Sequence, residues 1–331
     1  MKIAIVKLSA LGDIVHAMIV LQFIKSFNRE ILIDWIVEEP YKDLLEDHPD
    51  INQVHIIKIK KAKKNKSLLI LFQELNNVRK LTPYDLVIDM QGLIKSALIS
   101  RLIPSSTTLG FDKSSAREKF ASIFYNKTFK CAYETNIINR NLALIEYSLG
   151  FSISNEQIHN KTPFLYSKRK KLNINTEGPK KNILLIPGAS HNSKRYPAEK
   201  FAEITKSIDA YFFIIWGSEE EESLARKIKG SASNINICER LQLDSLILLI
   251  SKVDLVIGPD TGPTHIAWGL NVPSITLFGP TPGNRNIYET SLNKYIESKS
   301  KVNPNKINKN DFSIKDIDAQ EIVIIASDLI K

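Results

Sequence analysis

The sequence predicts an α/β protein built from two doubly wound parallel-sheet domains, and three observations predict it. The chain has 331 residues, more than one ordinary domain holds and enough for two, each with its own core. Short runs of Ile, Val and Leu that are apolar on both faces alternate with segments of helical period in both halves, the pattern of strands covered on both sides. Between the halves, FSISNEQIHNKTPFLYSKRKKLNINTEGPKKN is polar, irregular and rich in lysine, as an interdomain connection is.

In the first half, strands are expected at IAIVK, ILIDWIV, VHIIKI and YDLVIDM, with helices near 13 to 27, 67 to 81 and 93 to 102. In the second half, strands are expected at NILLIP, YFFIIW, INIC, DLVIG and SITLFG. The helices there fall near 197 to 208, 219 to 229, 243 to 252 and 263 to 269. The tail DAQEIVIIASDLIK has Asp318 and Glu321 at capping-box spacing, so a final helix follows. The boundary lies near 165 to 180, giving domains of 1–165 and 166–331, with a return of the last helix to the first domain left open.

Composition narrows the partners. There are 45 basic and 36 acidic residues, for a net charge of +9, which favours an anionic partner such as nucleic acid, a membrane surface or a phosphorylated substrate. Cys131 and Cys238 are the only cysteines and have no ligand spacing, so a disulfide framework and a zinc site are not indicated. Met1 leads directly into a strand, and the most apolar later segment is interrupted by Asp244, Lys252 and Asp254. The expectation is a cytoplasmic protein.

Open parallel sheets bind ligands beyond the carboxyl ends of their strands, so residues there come first. In DLVIGPDTGPTHIAWGLNVPSITLFGPT, Asp260 or Thr261 can cap a helix whose first amides, near Gly262, form an anion site; an ordinary capped turn with a satisfied His265 is the structural alternative. In LLIPGASHNSKRYPAEKFAEI, a small-residue loop precedes Lys194, which is informative if its loop faces the Asp260 turn, and Pro197 takes a first helical position. Ser218 and Glu221 have capping-box spacing, and a carboxylate there can also hold ribose hydroxyls. Asp13 opens the helix after the first strand, where capping and proton abstraction both fit. Nearby His16 is helix packing or a neighbour of Asp13.

Six lysines between Lys58 and Lys66 read as a loop after the third strand, either solvated or facing phosphates or an anionic leaflet. No aromatics interleave with them, which counts against nucleic acid. GxxxxGK[ST], GxGxxG after the first strand, HExxH and GxSxG are all missing, and the DxD at Asp316 to Asp318 is better explained by capping than by a metal. A non-catalytic sugar-nucleotide or lipid-binding protein and a basic nucleic-acid-binding protein are the rivals from other classes.

Across nearly the whole chain, KLSALGDIVHA, IDWIVEE, YDLVIDMQGLIKSALISRL, SSAREKFASIFYN, SKRYPAEKFAEI, WGSEEE and PDTGPTHIAWGLNVPSITLFGPT resemble the lipopolysaccharide heptosyltransferases, most closely those adding the first heptose to Kdo. The resemblance implies a GT-B fold of two Rossmann-like domains, with the acceptor on the first domain and ADP-heptose on the second. It implies transfer to a Kdo residue of Kdo2-lipid A with inversion, no cofactor and no obligatory metal, or transfer to a later heptose as the nearest rival. The catalytic residues it implies are Asp13 as base and Lys194 at the diphosphate. The donor residues it implies are Gly12, Ala189, Ser190, Glu221, Leu241, Asp260, Thr261, Gly262, Thr264 and His265, and the acceptor residues are Lys60, Lys61, Lys63, Lys64, Lys95 and Arg117. A monomer at the cytoplasmic face of the inner membrane, touching its anionic surface and binding no nucleic acid, completes the expectation. The sequence departs from the family where Ala189 and Ser190 stand for two hydroxyl residues, Leu241 for a methionine beside the adenine, and Asn136 for a histidine near the retained Arg140.

Overall fold

Residues 1–172, 174, 176 and 178–331 are described by the computed structural model, which divides into two units, Met1–Lys161 and Thr162–Lys331. Residues 173, 175 and 177 of the expected connection lie outside the described residues.

The first unit comprises β1 (Lys2–Val6), α1 (Leu11–Met18), α2 (Val20–Phe27), β2 (Leu32–Glu38), β3 (Gln53–Ile57), α3 (Ile59–Lys64), α4 (Leu68–Arg79) and β4 (Tyr84–Asp89). It continues with α5 (Ile94–Leu102), β5 (Ser105–Phe111), β6 (Lys127–Phe129), α6 (Ile137–Leu149) and α7 (Asn155–His159). Its strands are all parallel, in the order β3-β2-β1-β4-β5-β6. The central strand is the most apolar: Ile3, Ala4, Ile5 and Val6 are completely buried. The helix expected near 13 to 27 is two helices joined at Ile19, and both lie against α6.

The second unit comprises β7 (Asn182–Leu185), α8 (Ala198–Ser207), β8 (Tyr211–Ile214), α9 (Glu219–Lys229), β9 (Ile235–Ile237) and α10 (Leu243–Ile250). After these come β10 (Leu255–Pro259), α11 (Gly262–Gly269), β11 (Ser274–Phe278), α12 (Gly283–Asn286), β12 (Asn293–Glu297) and α13 (Ala319–Leu329). The strand order β12-β11-β10-β7-β8-β9, again all parallel, reproduces the topology of the first sheet. Phe201, Phe212, Ile257, Leu277 and Ile322 share one core, so the final helix is a core element of the second unit and packs on α8. Asp318 caps it, its Oδ1 accepting from the Gln320 amide at 3.1 Å.

Three strands escape the apolar pattern. β5 reads SSTTLGF, with four hydroxyl residues, and its Gly110 leaves room for the Tyr125 ring, which would sit 2.4 Å from an added Cβ. β6 and β12 are edge strands, short or half-polar, and they carry little of the apolar pattern that marks buried strands.

Candidate active site

The order of the second sheet reverses between β10 and β7, and the crevice of a doubly wound sheet opens beyond the strand ends at that point. β7 leads into Gly188, Ala189, Ser190 and a 3₁₀ turn, Asn192–Lys194, while β10 delivers Asp260. The two loops meet: Lys194 Nζ donates to Asp260 Oδ2 at 2.8 Å, with both side chains only 10% exposed. Thr281 Oγ1, from the loop after β11, donates to the same oxygen at 2.9 Å, and His265 Nε2 lies 3.0 Å from Oδ1. An ionised carboxylate only accepts, so the facing Nε2 carries the imidazole proton. Burial alone would raise the Asp260 pKa; the charge of Lys194 and the hydrogen bond from His265 outweigh it and hold the carboxyl far below the usual range.

These contacts decide between the two expected caps. Thr261 is the N-cap of α11, and Asp260 instead has both oxygens committed to side chains. Thr264 is fully buried; its Oγ1 donates to Thr261 O at 2.7 Å and accepts from the Thr261 amide at 3.3 Å. The Thr261 amide is therefore occupied and Pro263 has none, whereas Gly262 is the first residue inside the helix and no helical carbonyl accepts from its amide. Lys194 closes a 3₁₀ turn, and Pro197 is the N-cap of α8 rather than its first residue. An ammonium has three donors and Asp260 uses one, leaving two for an anion. Ser193 was missed: its hydroxyl is buried with no partner among the described residues.

Glu221 helps cap the start of α9, as its spacing predicts. Its amide donates to the Ser218 cap at 3.3 Å, and its Oε2 accepts from the Gly217 amide at 2.7 Å, one residue beyond the usual capping box. The same carboxylate lies against the loop after β7. A Cβ at Gly188 would sit 2.3 Å from Glu221 Cδ, so the glycine is what lets the acid reach this rim. Leu241 lines a pocket of about 590 Å³ beyond β9, together with Phe213, Cys238, Gln242 and Ser245, a volume within the usual range for small-ligand sites. Burial pushes the Cys238 thiol up to about 12.

In the first sheet the reversal falls between β1 and β4. Gln91, after β4, ties the two strand ends together: its Oε1 accepts from the Leu8 amide at 2.7 Å, and its Nε2 donates to Ser9 Oγ at 3.3 Å. The turn so held carries Gly12 and Asp13, both half-buried. Asp13 is the third residue of α1, not the first, and its Oδ2 accepts from the Ala10 amide at 3.2 Å. Capping thus uses one oxygen and leaves Oδ1 without a hydrogen bond among the described residues. His16 is buried within α1.

The lysine run is helical, not a loop, and its start is fixed by Glu38, a fully buried carboxylate at the end of β2. Both Glu38 oxygens accept from the Lys60 amide at 3.2 Å. Burial raises the Glu38 pKa against that hydrogen bond and the charge of Lys95; burial likewise lowers that of Lys95, against the charge of Glu38. Lys60, Lys63 and Lys95 therefore share one electrostatic neighbourhood, while Lys61 and Lys64 point to solvent. Lys60 Nζ donates to Tyr41 at 2.7 Å. Arg117 is exposed on the segment that Glu118 fastens to the start of α5, its Oε2 accepting from the Ile94 amide at 2.7 Å. Arg140 is structural: it donates to the carbonyls of Cys131 and Ser115, and Asn136 caps α6.

The sequence matches glycosyltransferase family 9 (heptosyltransferase) over residues 71–311. The chain belongs to this family. It is 38% identical to lipopolysaccharide heptosyltransferase 1 of Campylobacter coli, with 99% of each chain covered. It is 27% identical to the Escherichia coli K12 protein of that name, over 86% of this chain and 89% of the relative. The structure of E. coli heptosyltransferase WaaC with ADP superposes with a TM-score of 0.81 at 23% identity, covering 99% of this chain and 100% of the other. The likeness shows that this family 9 enzyme has the GT-B fold of two parallel six-stranded sheets.

Proposed function

We propose that this family 9 enzyme transfers L-glycero-D-manno-heptose from ADP-heptose to a Kdo residue of Kdo2-lipid A, inverting the anomeric carbon, in lipopolysaccharide inner-core synthesis. One observation carries the donor half of this reading. The loops after β10, β7, β8 and β9, neighbouring strands in that order, carry in turn the Asp260–Lys194 pair, the Gly188 loop, Glu221 and the Leu241 pocket. Three strand spacings span roughly 14 Å. Along that rim a cationic helix start, a carboxylate and a pocket lined by Phe213 and Leu241 with the charged Glu239 and Arg240 follow one another as diphosphate, ribose and base do in a nucleoside diphosphate. The relative named lipopolysaccharide heptosyltransferase 1 supports the acceptor class, and a WaaC structure with ADP-2-deoxy-2-fluoro heptose supports the donor class.

In the proposed step a Kdo hydroxyl oxygen bonds to the heptose anomeric carbon as the bond from that carbon to the ADP oxygen breaks. The proton passes to Asp13, and the electron pair leaves with ADP. Lys194, the Gly262 amide and the Ala189–Ser190 loop stabilise the departing diphosphate. Asp260, His265, Thr261 and Thr264 act behind them by fixing Lys194 and the helix start. Lys60, Lys61, Lys63, Lys64, Lys95 and Arg117 face the phosphorylated acceptor. Because protein cations supply the charge, the reaction needs no divalent metal, and its rate is expected to survive a chelator. The enzyme acts as a monomer on the cytoplasmic face of the inner membrane, where its lysines meet anionic lipid; no described helix is long and apolar enough to cross a membrane.

The test is incubation with ADP-heptose and Kdo2-lipid A, followed by mass measurement of the product. A gain of one heptose on the Kdo-bearing acceptor supports the reading. Transfer only to an already heptosylated core, or no transfer, contradicts it.

A further inference from the structure

We propose that the carboxyl rim of the first sheet docks on an anionic phospholipid bilayer and inserts apolar side chains into it. This deepens the lipid-acceptor reading above, on which it rests, because the lysines are there joined by residues that have no reason to face water.

Helices that connect parallel strands run back along the sheet, so α4 and α5 both start at the carboxyl rim. The first turns of α4 expose Leu68, Leu69 and Phe72, each by more than two thirds. Its far end is anchored in the core by Val78, and Ser67 caps its start by accepting from the Ile70 amide at 3.3 Å. These side chains are thus held out on an ordered helix. At the start of α5, Ile94 is also exposed. Beside it, the 3₁₀ turn Lys119–Phe124 is fastened to α5 by Glu118 and exposes Phe120 and Ile123 by about 70%. Six large apolar side chains therefore protrude along one rim, where isolated exposed residues would be the norm.

The same rim carries the charge that an anionic surface attracts. Lys61, Lys63, Lys64 and Lys66 precede α4, make no ion pair among the described residues and are exposed. Apolar tips beside unpaired lysines fit the interface between anionic headgroups and acyl chains, where both groups find favourable surroundings. Leu and Ile dominate the tips, which favours lipid over the base stacking that nucleic acid requires. Asp13 and the Glu38-held lysine helix follow strands of the same sheet at the same ends, so a docked rim would lie where a lipid-linked acceptor is presented.

The experiment is cosedimentation of the full chain with vesicles of phosphatidylethanolamine and phosphatidylglycerol, and with vesicles of phosphatidylcholine alone. Wild type is expected to bind the anionic vesicles, less so in high salt, and to bind the neutral ones weakly. The triple variant L68S/L69S/F72S and the double variant F120S/I123S are each expected to bind at least tenfold more weakly. Both should transfer heptose to a deacylated, water-soluble Kdo acceptor at the wild-type rate, which also shows that they are folded. Wild-type binding by both variants, no vesicle binding by wild type, or a parallel fall in transfer to the soluble acceptor would overturn the proposal. Absence of any transfer by wild type would instead count against the proposed reaction.

Discussion

Lys194 and Asp260, 66 residues apart, form a buried ion pair at 2.8 Å that ties the loop after β7 to the loop after β10. The pair makes the proposed diphosphate site a preassembled structure: the carboxylate holds the ammonium in place, and His265 and Thr281 hold the carboxylate. Leaving one partner of such a pair costs about 3–5 kcal/mol, whereas replacing both can be nearly neutral. K194A is therefore expected to destabilise the second unit by roughly that amount and to weaken ADP binding at least tenfold. K194M/D260N should recover much of the stability without recovering ADP affinity, as read by urea unfolding and calorimetry. Equal recovery of both would show that Lys194 acts only as a structural residue.

The same pair sets an acid dependence. The folded pKa of Asp260 lies far below the usual value of about 3.9, so in acid the unfolded chain takes up the proton first. Its stabilisation is complete above that value and is lost progressively as the pH falls below it. Unfolding of D260N between pH 6 and pH 3 is expected to show a shallower loss of stability than wild type. Identical slopes would remove Asp260 from the acid response.

Gly188 and Glu221 are coupled by contact. G188A forces the Glu221 carboxylate away, because the added Cβ would overlap it, and is expected to weaken ADP binding by tenfold or more. Once Glu221 is removed the overlap disappears, so G188A/E221A should bind ADP no worse than E221A. Additive losses in this double-mutant cycle would contradict the coupling.

In the first unit, Glu38 holds the start of the lysine helix with both oxygens. E38A is expected to raise the KM for the Kdo acceptor severalfold while leaving ADP affinity unchanged. An unchanged KM would detach that helix from acceptor binding.

The legible part of the sequence was its apolar periodicity and its turn chemistry. Buried parallel strands such as IAIVK and DLVIG carry an apolar signal on both faces, and Asp260, Thr261 and Glu221 stand at strand ends where helices must be capped. What the sequence could not show were contacts between distant loops. The capping reading of Asp260 is locally sensible, and only the approach of Lys194 and Thr281 turns it into an anchor. Gly188 reads as a small loop residue until the Glu221 carboxylate is seen against it. Gln91 carries no local signal of its role, although its amide side chain organises the turn that leads to Asp13. β5 was lost because hydroxyl residues fill the positions where Val or Ile would announce a strand. The lysine run read as a loop because its helix is stabilised by one buried carboxylate 22 residues earlier, not by its own sequence.

Asp13 is the proposed acceptor of the hydroxyl proton, and the most direct measurement of that role pairs two assays on D13A. The rate of heptose transfer from ADP-heptose to the Kdo acceptor is expected to fall by about 10²–10⁴, the usual range for loss of a general base. ADP affinity, measured by calorimetry, should stay within a factor of two of wild type. Transfer at more than a tenth of the wild-type rate would contradict the account, because a residue that only caps α1 could be lost at so small a cost.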